Sequence, residues 1–210
     1  MKKLTLLILS GSLLVACNSS DEPTVEHDAP VQEAPAPVVS DYALNASASS
    51  ADWERTLDQK ATKQKVKLFG KMVDVELGEV KMTTTGSVNI SEGGLTLSDN
   101  DITSAHVVFD MASFQLAKEK DSGLFDVKQY PNSTLMLNDF SDSTATGTLT
   151  IQQTSKEVPV KISVTKSDQT YTLKGSFTVN TLDFPLREKV KEKDVNKDEI
   201  LVNFDLNYSK

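Results

Sequence analysis

From Val80 to the C-terminus, apolar residues return at every second position in run after run, and this period constrains the chain more than any other feature. Val80, Met82, Thr84, Gly86, Val88 and Ile90 share one face of an extended segment, and Val158, Val160, Ile162 and Val164 share another, opposite Lys161 and Ser163. Tyr171, Leu173, Gly175, Phe177 and Val179 make a third set, and Ile200, Val202, Phe204, Leu206 and Tyr208 a fourth. Val73-Asp74-Val75-Glu76-Leu77 alternates apolar with charged residues in the same way. Strand side chains point to opposite faces in turn, so each pattern predicts a strand with one dry and one wet face. Turn signals separate the runs at Phe69-Gly70-Lys71, Glu92-Gly93-Gly94, Ser98-Asp99-Asn100-Asp101 and Lys166-Ser167-Asp168-Gln169.

No segment after residue 50 carries a long helical period. Short helices are expected over 112–120 and 186–194, the second so charged that a loop fits it equally well. The sum is an all-β domain over 50–210, with about eight or more sequential antiparallel strands. Closing such a sheet into a barrel removes its edges, although a sandwich shares the same alternation.

The other end of the chain reads differently. Lys2 and Lys3 precede an apolar run from Leu4 to Val15, too short to span a bilayer and of the length of a signal-peptide core. Leu14-Val15-Ala16-Cys17 resembles the bacterial lipobox, which implies a signal over 1–16, cleavage before Cys17 and lipidation of that cysteine. Cys17 is the only cysteine, so no disulfide within one chain is available. Over 17–49 four of the seven prolines (Pro23, Pro30, Pro35, Pro37) accompany six acidic residues and no basic one. That composition predicts a disordered tether. Removing 1–16 leaves 20 basic and 30 acidic residues. A surface so acidic disfavours nucleic acid and leaves membrane attachment to the lipid anchor.

Catalytic patterns are scarce. Of two histidines, His27 lies in the tether and His106 within an expected strand, so no histidine pair for a metal and no thiolate in the domain is available. Nucleophile elbows, phosphate-cradling glycine loops and dinucleotide fingerprints are absent from the sequence. Asp110, Asp126 and Asp183 stand among apolar residues at expected strand ends, where an aspartate commonly accepts turn amide hydrogen bonds. Trp53 reads as a barrel plug, and Lys189, Lys191 and Lys193, interleaved with acids, as a solvated face. No cofactor and no catalysis are expected.

Four segments in order resemble the YceI family. These are Phe109-Asp110-Met111-Ala112-Ser113-Phe114; Leu124-Phe125-Asp126-Val127 with Tyr130-Pro131; Gly147-Thr148-Leu149-Thr150-Ile151 with Lys156 and Val158; and Gly175-Ser176-Phe177-Thr178-Val179-Asn180 with Asp183-Phe184. Departures fall in loops: Lys120 to Leu124 replaces a common His-Leu pair, and Gln153 and Pro185 stand where glycine is usual. The resemblance implies an eight-stranded antiparallel, lipocalin-like barrel holding a polyisoprenoid or isoprenoid quinone for carriage, storage or stress protection. The inward residues expected to meet it are Val88, Val107, Phe109, Leu135, Leu137, Leu149, Val160, Ile162, Leu173, Phe177, Val202 and Phe204. The same apolar lining would also suit a filled barrel, serving as a displayed interaction module. The expected location is the cell envelope, by lipid anchor in the outer membrane, and a homodimer is compatible with the sequence.

Overall fold

The computed structural model describes residues 37–114, 125–186 and 192–210. Within the compact unit Pro37–Lys210 there are twelve strands. They are β1 (Val39–Leu44), β2 (Ser50–Gln59), β3 (Thr62–Leu68), β4 (Lys71–Leu77), β5 (Val80–Ser87) and β6 (Asn89–Ser98), then β7 (Asp101–Asp110), β8 (Asn132–Asn138), β9 (Thr144–Ile151), β10 (Thr154–Ser167), β11 (Thr170–Asn180) and β12 (Val195–Ser209). All pairings are antiparallel, and β6 to β12 follow one another as a meander. The ring closes because β1 pairs with β6 on one side and with the end of β12 on the other. Closure selects the barrel over the sandwich.

β1 and β2 run as one broken strand along β12, interrupted by a short turn at Ala46–Ala48 in which the Asn45 side chain accepts from the Ala48 amide. β5 and β6 form a second broken strand, in which a bulge between Ile90 and Glu92 bends the chain over β7. The alternation works as the sequence predicts on β11 and β12, where Tyr171, Leu173, Phe177 and Val179 and then Ile200, Val202, Phe204, Leu206 and Tyr208 are buried. On β10 it holds for Val158, Val160 and Ile162, but Val164, past the last residue of β10 that pairs with β9, is exposed.

Several expectations are corrected. The expected tether over 17–49 overlaps the barrel, since Val39–Leu44 is a strand whose Tyr42 packs edge-on against Tyr171 at 5.0 Å. That strand is short and mixed in polarity, which hides it beside the prolines. The signal segment, Cys17 and the tether up to residue 36 lie outside the described residues. Glu92-Gly93-Gly94 is no turn. It lies inside β6, where a Cβ on Gly93 would sit 2.5 Å from the His106 carbonyl oxygen. The glycines there serve close strand approach. The expected helix at 112–120 begins as a single turn, Met111–Ser113, after which Phe114 is extended, and 115–120 lie outside the described residues. The one at 186–194 is described only at Leu186 and as a turn over Glu192–Asp194.

The segment Val73 to Met82 also departs from its pattern. β3 and β4 form a separate two-stranded sheet that carries the ribbon β2–β5 beyond the barrel, and their apolar side chains stay exposed or half-buried.

Candidate ligand-binding cavity

The barrel interior divides into a filled end and a hollow end. At the filled end Leu95, Leu97, Leu137, Leu173, Leu206 and Tyr208 are almost wholly buried and meet across the axis. Two glycines of the sequence motifs make this packing. A Cβ on Gly175 would collide with the Lys161 carbonyl oxygen and the Phe204 ring, and one on Gly147 would press Val160 at 2.8 Å. Tyr208 is sealed in, and burial pushes its phenol well above the usual tyrosine range.

The hollow end lies under the rim formed by the end of β7, the start of β8, the ends of β9 and β11 and the start of β12. It holds a cavity of about 50 Å³ measured with a water-sized sphere. Trp53, Phe114 and Phe125 make one wall. Trp53 and Phe114 stack at 4.3 Å, Phe125 meets Phe114 edge-on at 5.0 Å, and the Trp53 indole N–H donates to the Ser87 carbonyl at 3.1 Å. Phe109, Ile151, Phe177, Val179, Ile200 and Val202 supply much of the remainder. Ser133 and Thr181 are the polar side chains among the described lining residues, and the Ser133 hydroxyl is buried without a partner among the described residues.

Two hydrogen-bonded corners hold this rim. At the first, Asp110 Oδ1 accepts from the Ala112 amide at 3.0 Å, Ser113 Oγ donates to the Asp110 carbonyl at 2.6 Å, and the Met111 amide donates to the Pro131 carbonyl at 2.8 Å. The corner aims Met111 and Phe114 inward. At the second, Asn180 Oδ1 accepts from the Leu182 amide at 3.1 Å, which turns Phe184 and Leu186 inward. Asp110 thus does what its position predicts. Asp126 acts through its backbone carbonyl, which accepts from Gln129 and Tyr130, and Asp183 is exposed.

Beside the cavity Arg55 and Asp198 form a forked ion pair, with both N···O distances 2.8 Å, and Asp198 is 2 % exposed. Neither residue stands out in the sequence, because single charges at strand positions look solvated until the register pairs them. Ser133, Phe114 and Phe125 were likewise absent from the inward set expected from the sequence. The family motifs contain both phenylalanines, and that is the signal that could have found them.

Of the twelve inward residues expected from the sequence, Val88, Phe109, Leu149, Phe177 and Val202 line the cavity. Val107, Leu135, Leu137, Val160, Ile162, Leu173 and Phe204 are buried but do not line it. His106 is exposed on β7, and no cluster of metal-ligating residues occurs among the described residues.

The model of the YceI-like domain matches residues 42–208, from within β1 to Tyr208 near the end of β12. The chain belongs to the YceI-like family. Among solved structures it is similar to BcnA of Burkholderia cenocepacia, with a TM-score of 0.53 and 19% identity, covering 78% of this chain and 98% of that one. No curated protein matches it. Members of that family are binding proteins rather than enzymes.

Proposed function

We propose that this chain is a lipid-anchored envelope protein whose barrel holds one elongated apolar ligand, a polyisoprenoid or isoprenoid quinone, for carriage, storage or protection. The observation that carries the reading is an apolar cavity at one barrel end, walled by side chains that hang from turns. The cavity is smaller than the ~150 Å³ void that accepts benzene in an engineered protein, so a long chain needs more room than this closed form offers. Phe114, Phe125, Phe184 and Leu186 all lie outside the strands, so their side chains can swing aside while the ladder of strand hydrogen bonds stays intact. A prenyl chain burying about 300 Å² would gain roughly 7 kcal/mol from leaving water, before the cost of immobilising it. No charged contact is required.

Attachment through Cys17 and residence in the outer membrane are part of the same reading and rest on the lipobox resemblance. Mass spectrometry of an organic extract of the purified full chain tests the ligand. An isoprenoid at near-stoichiometric amount is the expected result, and a lipid-free extract from protein expressed in its own cells would overturn the carrier role. A second reading, a displayed interaction module with a filled barrel, is favoured by the solid packing of Leu137, Leu173, Leu206 and their neighbours. It predicts that no added prenyl alcohol raises the melting temperature.

A further inference from the structure

The β3–β4 hairpin leaves the barrel at the cavity end. In β2 the register runs from Asp205 opposite Ser50 to Val195 opposite Gln59, and Gln59 in turn faces Val80 across β5. The same rim carries Ile151, Thr181 and Ile200 of the cavity. An isolated two-stranded ribbon is marginal in water, and this one keeps large apolar side chains in solvent.

Its two faces differ. Cross-strand partners share a face, so Val66, Leu68, Val73, Val75 and Leu77 lie on one side together with Thr62, Gln64 and Lys71. On the other side Lys63 stands opposite Glu76 and Lys65 opposite Asp74, whereas Lys67 stands opposite Met72. Lys71 stands opposite Leu68. The tip therefore combines Leu68, Phe69 and Met72 with two lysines that have no acid across from them. Phe69 is wholly exposed, held outward in the left-handed region at φ 50° before Gly70 at φ 82°. Turns of this kind favour Asn-Gly or Gly-Gly, so a phenylalanine there is conformationally costly without contributing to the core.

We propose that the hairpin tip docks on a lipid surface with anionic headgroups, seating Leu68, Phe69 and Met72 at the acyl boundary and Lys67 and Lys71 among the phosphates. The chain as a whole carries net charge −8, so a cationic apolar tip is selective in charge for such a surface. A second copy is a poorer occupant, because a two-fold contact between tips brings like lysines together. Docking sets the cavity end beside the bilayer, with the exposed Val80 and Met82, which share a face with Leu57, between the tip and the barrel. The chain enters the barrel at the opposite end, where the Val38 amide donates to Asp99. From Cys17 to Val38 it can reach up to roughly 70 Å, against about 33 Å for a ten-residue strand, so an anchored chain can present either end.

The inference goes beyond ligand binding in the barrel, and its test needs no ligand there. The full chain carrying Phe69→Trp is reconstituted into phosphatidylcholine vesicles with brominated acyl chains, with and without phosphatidylglycerol. Gln169→Trp, in the turn at the filled end, is the control. Taken as the difference from the unsubstituted chain, whose Trp53 also emits, the expected result is a blue-shifted, bromine-quenched component from position 69 only, stronger with phosphatidylglycerol. Lys67→Gln and Lys71→Gln each lower the docked-to-free ratio about fivefold, and 1 M salt does the same. Unquenched emission at 69, or equal quenching at 169, overturns the proposal. So does a blue shift without vesicles that tracks dimer formation in sedimentation. Because these exposed substitutions leave the core untouched, an unchanged melting temperature accompanies the expected result.

Discussion

Asp198 illustrates how strand register alone can bury a charge. Opposite Leu57 in the ladder, it lies close enough to Arg55 for both guanidinium bonds, and its own carbonyl accepts from Thr181 Oγ1 at 3.2 Å. Removing one partner of such a pair strands the other, so Asp198→Ala should destabilise by about 3 kcal/mol, while a joint Arg55→Met and Asp198→Leu exchange should cost far less. Urea unfolding of the two variants measures this, and equal losses for the single and double changes would refute it. Ser133 is the opposite case, a buried hydroxyl with no partner among the described residues. Ser133→Ala should leave stability unchanged or raise it by roughly 1 kcal/mol, since it removes an unmet hydrogen-bonding group. Tyr208 supplies a pH dependence. Its phenol is held neutral in the fold, so it costs nothing below the unfolded tyrosine pKa. Above that value the unfolded chain ionises while the folded one does not, and stability falls as pH rises further. Tyr208→Phe should flatten the alkaline limb of a melting-temperature profile.

At the scale of elements, motif glycines and motif corners perform separate tasks. Gly147 and Gly175 let neighbouring strands and the Phe204 ring close over the filled end, and a side chain there must push backbone or packed atoms. Gly175→Val should therefore lower stability by at least 1–3 kcal/mol, read by thermal unfolding. The Asp110 and Asn180 corners instead build the hollow end, turning Phe114 and Phe184 inward from outside the sheet. Phe114→Ala should cost the empty protein about 3 kcal/mol through the void it leaves. A bound prenyl chain should restore part of that loss, a recovery that differential scanning calorimetry with and without prenyl alcohol would register. The sequence reveals the strands of β10 to β12 because alternation and burial coincide there. It misreads 73–82 because alternation also describes an amphipathic ribbon whose apolar face no described residue covers.

For the molecule as a whole, closure is the step that alternation does not contain. Every inward residue of the expected set is buried, yet whether it touches a ligand space or another side chain depends on height along the barrel axis, which follows from register. Val160 and Val202 look alike in sequence and both stand opposite Phe177, but Val202 lines the cavity and Val160 does not. Strand content, their antiparallel sequential order and family membership were legible in the chain itself, since each follows from local periodicity or from short motifs. The position of β1 in the ring, the Arg55–Asp198 pair, the Trp53–Phe114–Phe125 wall and the exposed ribbon were decided only by tertiary structure. The physical reason is that a two-residue period fixes which face a side chain takes, while long-range pairing fixes what lies opposite that face.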